Sequence, residues 1–261
     1  MSILLIDFEA TAIDTKQARI IEIGAMLVDD KWDAIPQSSV SVLVRDGSYA
    51  SLTPEITKIT GITNELLVAE AIPPKEAFAL LSNIINDGVT HACAFNTAYD
   101  ETLFKTEVTR GGLTGVPQIS WLMSIPWICA LNDMEKNYEF KSRRLMHVAL
   151  EYGVTVNPKI LHRAIADVEL MRQMLKASGT TPGEMLKFKQ EPWVYVKATL
   201  EKPWVDGGKS TDFAKSRGYG WERARGDYSD RTFPKQWVKR IKQKSFEDEL
   251  TLPFKVERIT I

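Results

Sequence analysis

Leu4-Leu5-Ile6-Asp7-Phe8-Glu9-Ala10-Thr11 is the stretch around which the chain is organised. Ile3 to Ile6 is a continuous apolar run, which suits a strand buried on both faces. It then breaks into two carboxylates with one residue between them. Alternate residues of a strand point to one face, so Asp7 and Glu9 project together, roughly 6.5 Å apart at their Cα atoms. Two acids aimed the same way repel, and they need a proton, a basic partner or a metal ion between them. Hard divalent cations such as magnesium favour oxygen ligands of this kind. A lone D-x-E also fits an ordinary loop start, so the weight falls on what lies further along.

The chain has 261 residues, 44% of them hydrophobic, enough for one large domain or a domain with an appendage. No apolar run reaches the 18 or so residues of a membrane span, and the start lacks a signal-peptide layout. The expectation is a cytoplasmic protein without membrane contact. Cys93 and Cys129 both sit in apolar stretches and read as buried free thiols. The net charge of −1 hides an asymmetry: residues 187–261 carry 17 Lys+Arg against 11 Asp+Glu, and residues 1–186 carry 16 against 23. An acidic body with a basic tail points toward nucleic acid.

From Arg19 to Val28 and from Ser38 to Val44 the pattern predicts two further strands, with a hairpin at Asp29–Asp33. Thr53 caps a short helix opened by Pro54 and closed by Gly61, and Thr63 caps another. Pro73-Pro74 starts an amphipathic helix to Asn86 with Ala77, Leu80, Leu81 and Ile84 on one side. His91–Phe95 is a short strand, Asn96–Arg110 a helix broken at Gly111-Gly112, and Ile125–Leu131 a further strand. Helices follow at Arg143–Tyr152 and Ile165–Ala177. Strands first as a meander, then alternating with helices, predict a mixed sheet covered by helices.

Two more acids complete a constellation. Asp100 falls in the first turn of a helix just after the strand His91–Phe95, the end of the strand where α/β sheets build sites. His162 and Asp167 are five residues apart, about 140° on an ideal helix, so they cannot share a helical face. The pair makes sense with His162 on the approach loop, after Asn157-Pro158, and Asp167 inside the helix.

D-x-E (Asp7, Glu9), N-x-x-x-D (Asn96, Asp100) and H-x-x-x-x-D (His162, Asp167), in this order, resemble the DEDDh, or DnaQ-like, 3′→5′ exonuclease family. Thr53-Pro54-Glu55-Ile56 and Thr60-Gly61-Ile62-Thr63 are similar to the family's segment between its first two motifs. Trp127-Ile128-Cys129 and the spacing to His162 resemble the exodeoxyribonuclease X branch. The likeness covers residues 1–178 or so, with one departure: Phe95 stands where the family usually has a histidine. The resemblance implies a ribonuclease H-like fold with a mixed five-stranded sheet. It also implies two divalent ions, Mg2+ or Mn2+, held by Asp7, Glu9, Asp100 and Asp167, with His162 as general base. The terminal nucleotide would lie against Ala10, Thr11, Gly61, Ile62, Asn96 and Tyr99.

The expected function is release of 5′-mononucleotides from DNA 3′ ends, single strands preferred, by an exonuclease domain at residues 1–186. An oligoribonuclease or RNase T-like activity on RNA is the alternative, and a non-catalytic nucleic-acid-binding module a third. The extension at residues 187–261 is expected to bind nucleic acid, since Tyr219, Trp221, Tyr228, Phe233 and Trp237 interleave with its cations. Glycines 218, 220 and 226 suggest a loop-like arm, whose tryptophans could equally serve only to anchor it.

Overall fold

The computed structural model describes residues 2–49, 51–86, 88–138, 140, 142–157, 162–222 and 236–259. Pro158 and Gly226, and the aromatics Tyr228 and Phe233, lie outside them. The chain divides into two compact units, Met1–Lys189 and Gln190–Ile261.

In the first unit, β1 (Ser2–Ala10), β2 (Ile20–Val28) and β3 (Ala34–Leu43) form an antiparallel meander. After it come α1 (Pro54–Thr60), α2 (Asn64–Glu70), α3 (Pro74–Ile84), β4 (Val89–Ala94), α4 (Ala98–Arg110) and α5 (Pro117–Ser124). Then follow β5 (Trp127–Cys129), α6 (Leu145–Glu151), α7 (Ala164–Ser178) and α8 (Pro182–Gln190). The strand order is β3-β2-β1-β4-β5, with β4 parallel to both β1 and β5. This is the mixed five-stranded sheet the sequence led us to expect.

Both faces of β1 are covered, as its unbroken apolar run requires. Leu4, Ile6 and Phe8 pack on one side with Phe78, Phe104 and Trp127. Ile3 and Leu5 pack on the other with Val168, Met171 and Leu175 of α7. Each fully buried aliphatic chain contributes about 1.5–3 kcal/mol, so β1 is an anchored platform. Asp7 and Glu9 continue the Ile3–Leu5 side, toward α7.

Several boundaries differ from the sequence reading. β3 begins at Ala34 because Pro36 sits on a sheet edge, where a missing N–H costs little. Gln37 at φ 57° and a register shift between Met26 and Val28 absorb the irregularity. On α3 the buried side is Ala77, Phe78 and Leu81, while Leu80 is 43% exposed. β5 is only three residues long, because Asp133 Oδ2 accepts the Cys129 amide and turns the chain away. α5 and α8 carried too little periodicity to be read. Both cysteines are buried and unpaired.

The second unit is not a loop-like arm. β6 (Trp193–Thr199), the hairpin β7 (Trp204–Val205) and β8 (Gly208–Lys209), α9 (Ser210–Ser216), β9 (Gly220–Glu222), β10 (Gln236–Lys242), α10 (Phe246–Glu249) and β11 (Lys255–Ile259) build it. An antiparallel sheet of order β11-β6-β10-β9 carries Val194, Val196 and Ala198 inward against Ala214, Tyr219, Phe254 and Val256. Alternation in Trp-Val-Tyr-Val-Lys-Ala-Thr is the period-2 signal of a half-buried strand. Tyr219 donates to buried Glu249 at 2.8 Å, and Lys239 pairs with the same carboxylate. Among the described residues no helix is long and apolar enough to cross a membrane.

Candidate active site

At the carboxyl end of β1 the register with β2 shifts between Glu9 and Ala10, where bulges commonly sit beside active sites. Asp7 is half-buried there. Its carboxyl is held well above the ordinary range, first by burial and then by the charges of Asp100, Glu9, Asp167 and Glu22. Glu9 is pushed up to about 8 by burial, then by Asp167, Glu22 and Asp100, against the opposing charge of Arg163. Asp100, only 4% exposed, is also raised to about 8 by burial, although the backbone amides of Phe8 and of Asp100 itself favour its charged form. Burial likewise raises Asp167, partly offset by the backbone amide of His162. Asp7 feels the charges of Glu9, Asp100 and Asp167, so the four acids of the sequence motifs are neighbours.

Local chemistry holds each one. Thr97 Oγ1 donates to Ala94 O at 2.9 Å and Ile128 O at 2.7 Å, tying the entry of α4 to β4 and β5. Asn96 turns with φ 62° before the helix. Tyr99 Oη donates to Ala12 O at 2.7 Å, which fastens the first turn of α4 to the chain leaving β1. The Thr11 amide donates to Arg19 O at 3.0 Å, and Thr11 Oγ1 accepts the Arg19 amide at 2.9 Å.

His162 precedes α7, at φ 62°, and Asp167 lies in its first turn, so the two side chains need not share a helical face. The His162 amide donates to Asp167 Oδ1 at 3.3 Å. One potential ligand atom from each of Glu9, His162 and Asp167 lies within 4.8 Å of the others.

Two features that the motifs do not contain position this segment. Glu22, 1% exposed, accepts Arg163 Nη2 at 2.7 Å and Nε at 3.0 Å on Oε1, and the Ala164 amide at 3.0 Å on Oε2. Gly24 lets α7 press onto β2: a Cβ there would stand 2.3 Å from Ala164 C and Ile165 N. A carboxylate inside the apolar run Ile20-Ile21-Glu22-Ile23-Gly24 was the available signal, because a buried charge demands a partner.

Of the residues expected at the terminal nucleotide, Thr11, Asn96 and Tyr99 stand on segments bordering the acids. Ala10 is buried in the core beneath them. Gly61 caps α1 at φ 70°, and Ile62 is fully buried with Ile21, Leu43, Leu52 and Leu67, so its side chain packs the interior. Phe95 packs beside Cys93 and Ile128 and brings no polar atom to its position.

The sequence model of the exonuclease family (RNase T) matches residues 4–175. The chain belongs to this family. Solved structures of E. coli exonuclease I share its fold. The complex with a dA16 oligonucleotide aligns with a TM-score of 0.59, and the complex with dT13 with 0.61. Each is 17% identical over 76% of this chain and 48% of that one, so this exonuclease-family chain spans about half the length of exonuclease I. No curated protein matches its sequence significantly.

The donor set fits hard divalent cations. Four neighbouring carboxylates, Asp100 buried and the others half-buried, each raised by desolvation, are oxygen donors whose mutual repulsion a dication relieves.

Proposed function

We propose that this chain hydrolyses nucleic acid from 3′ ends and releases 5′-mononucleotides, with DNA single strands as the preferred substrate and Mg2+ or Mn2+ as cofactor. The convergence of Asp7, Glu9, Asp100 and Asp167 beside His162 carries the reading. The oligonucleotides held by exonuclease I, which shares the fold, support it. The likeness of Trp127-Ile128-Cys129 to exodeoxyribonuclease X points the same way.

Asp7, Glu9, Asp100 and Asp167 would hold two cations. When bound, these supply Lewis acidity that offsets the charge of the scissile phosphate and of the departing oxygen. His162, exposed at the rim, takes the proton from the attacking water. A bond forms between that water oxygen and phosphorus, the bond from phosphorus to the 3′ oxygen breaks, and the departing oxygen ends protonated as a 3′ hydroxyl. Tyr99 and the Thr11 segment border the place of the terminal nucleotide.

The test is digestion of 5′-labelled single-stranded DNA, duplex DNA and RNA with Mg2+, Mn2+ or EDTA. A ladder shortened from the 3′ end of single-stranded DNA, absent in EDTA, is expected. Faster loss of RNA would move the chain to the RNA-trimming members, and no turnover on any substrate would make it a binding module.

A further inference from the structure

We propose that the second unit carries a site for an unpaired base of single-stranded nucleic acid. The site is a cavity of about 630 Å³ formed wholly within Gln190–Ile261. That volume lies in the range of small-molecule sites. Its walls are the end of β6, the edges of β9 and β10, the β7–β8 hairpin and the first residues of α9. This inference rests on the nuclease reading above and names a second place where the same strand is held.

Three indoles line the cavity. Trp221 and Trp237 are cross-strand partners whose rings stand 5.4 Å apart and tilted by 56°. Trp204 reaches in from the hairpin. Trp204 is 59% exposed and Trp221 53%, although tryptophans in so small a unit would ordinarily supply its core. That core is instead built of Val194, Val196, Tyr219, Ile241 and Phe254. The indoles of Trp204 and Trp221 therefore remain as open flat faces, with Trp237 half-buried behind Trp221, and every base has a π-face that can stack on them.

The charge of the lining selects the ligand. Lys202 and Lys209 belong to it, and among the described residues no acidic one does. Among the described residues neither ammonium is held by a carboxylate. An apolar peptide would need no cations here, whereas a nucleotide brings a phosphate with its base. The wall is also pre-formed. The Ser210 amide donates to Pro203 O at 3.0 Å and its hydroxyl to Lys202 O, so hairpin and helix are locked together. Little ordering entropy is then spent when a base enters.

The experiment measures binding by the full chain in EDTA, through the fluorescence anisotropy of a 5′-fluorescein dT20 and of a 20-mer of abasic sites. Trp204→Ala and Trp221→Ala should each weaken dT20 binding roughly 5- to 150-fold, the equivalent of about 1–3 kcal/mol, with unchanged circular dichroism. The abasic strand should bind the parent as weakly as dT20 binds these variants. Lys209→Gln should lower the slope of log Kd against log salt by about one. Trp204, on the exposed hairpin, keeps the test valid if Trp221→Ala misfolds. Equal affinity for dT20 and the abasic strand, or an unaltered Kd in Trp204→Ala, would overturn the proposal and leave an apolar protein segment as the occupant. Dinucleotide hydrolysis by the unmutated enzyme reports separately on the carboxylate centre, so the two readings fail independently.

Discussion

Arg163→Ala would leave Glu22, 1% exposed, without the cation that neutralises it, near the three further acids Asp7, Glu9 and Asp167. Removing one partner of a fully buried ion pair costs about 3–5 kcal/mol. Here the Arg163 side chain is 41% exposed and the Ala164 amide still reaches Glu22 Oε2, so water and that amide offset part of the loss. We expect a destabilisation of about 2–3 kcal/mol. Adding Glu22→Gln removes the stranded charge, so the double variant should recover about 1–2 kcal/mol relative to additivity. Urea unfolding of the parent, both single variants and the double variant in EDTA measures the cycle. The clasp also sets the start of α7, which places Asp167 and the backbone of His162. Misplacement of a reacting group by about 1 Å can cost 100-fold in rate, so kcat should fall more than KM rises. A loss below about 0.5 kcal/mol with no coupling would refute the clasp as the element that positions this segment.

Gly24→Ala puts a methyl group against the backbone of Ala164 and Ile165, which cannot step aside as a side chain would. It should cost at least about 1–3 kcal/mol in urea unfolding and lower kcat, and a variant matching the parent in both would contradict the packing account. The raised carboxyls also predict a pH dependence. A carboxyl held above its unfolded value favours folding while protonated, and that advantage is lost as pH rises from about 4 through about 8, where Glu9 and Asp100 titrate. In EDTA the melting temperature should therefore fall across this window, more steeply than in Asp7→Asn, and Mg2+ should restore it at pH 8; identical profiles for the two proteins would exclude mutual repulsion. His162→Ala should lower kcat by about 10²- to 10⁴-fold while Mn2+ binding, followed by calorimetry, persists.

Much of the first unit was legible because β1 states its environment plainly: four apolar residues in a row leave no solvent face, and the acids that follow mark where the strand meets the site. The spacing of His162 and Asp167 even required the loop-then-helix arrangement that surrounds them. Glu22 and Gly24 were harder, because their meaning depends on α7 lying across β2, a contact between residues more than 140 positions apart. The second unit was misread as a loop-like arm. Its glycines and charges look like loop chemistry one residue at a time, while β6 reveals its alternation only when the large polar-edged Trp193 and Tyr195 are set on the outer face. Ile62 illustrates the same limit: an apolar residue in a functional motif does not announce whether it faces a ligand or the core.

The most direct test of the central claim is mononucleotide release from a single-stranded DNA 20-mer as a function of Mn2+ concentration, for the parent and for Asp7→Asn. No release is expected in EDTA, and a saturable rise with Mn2+ is expected in the parent. The variant should be slower by orders of magnitude at every concentration, while its circular dichroism matches the parent's. Turnover in EDTA, or superimposable metal curves for the two proteins, would contradict it.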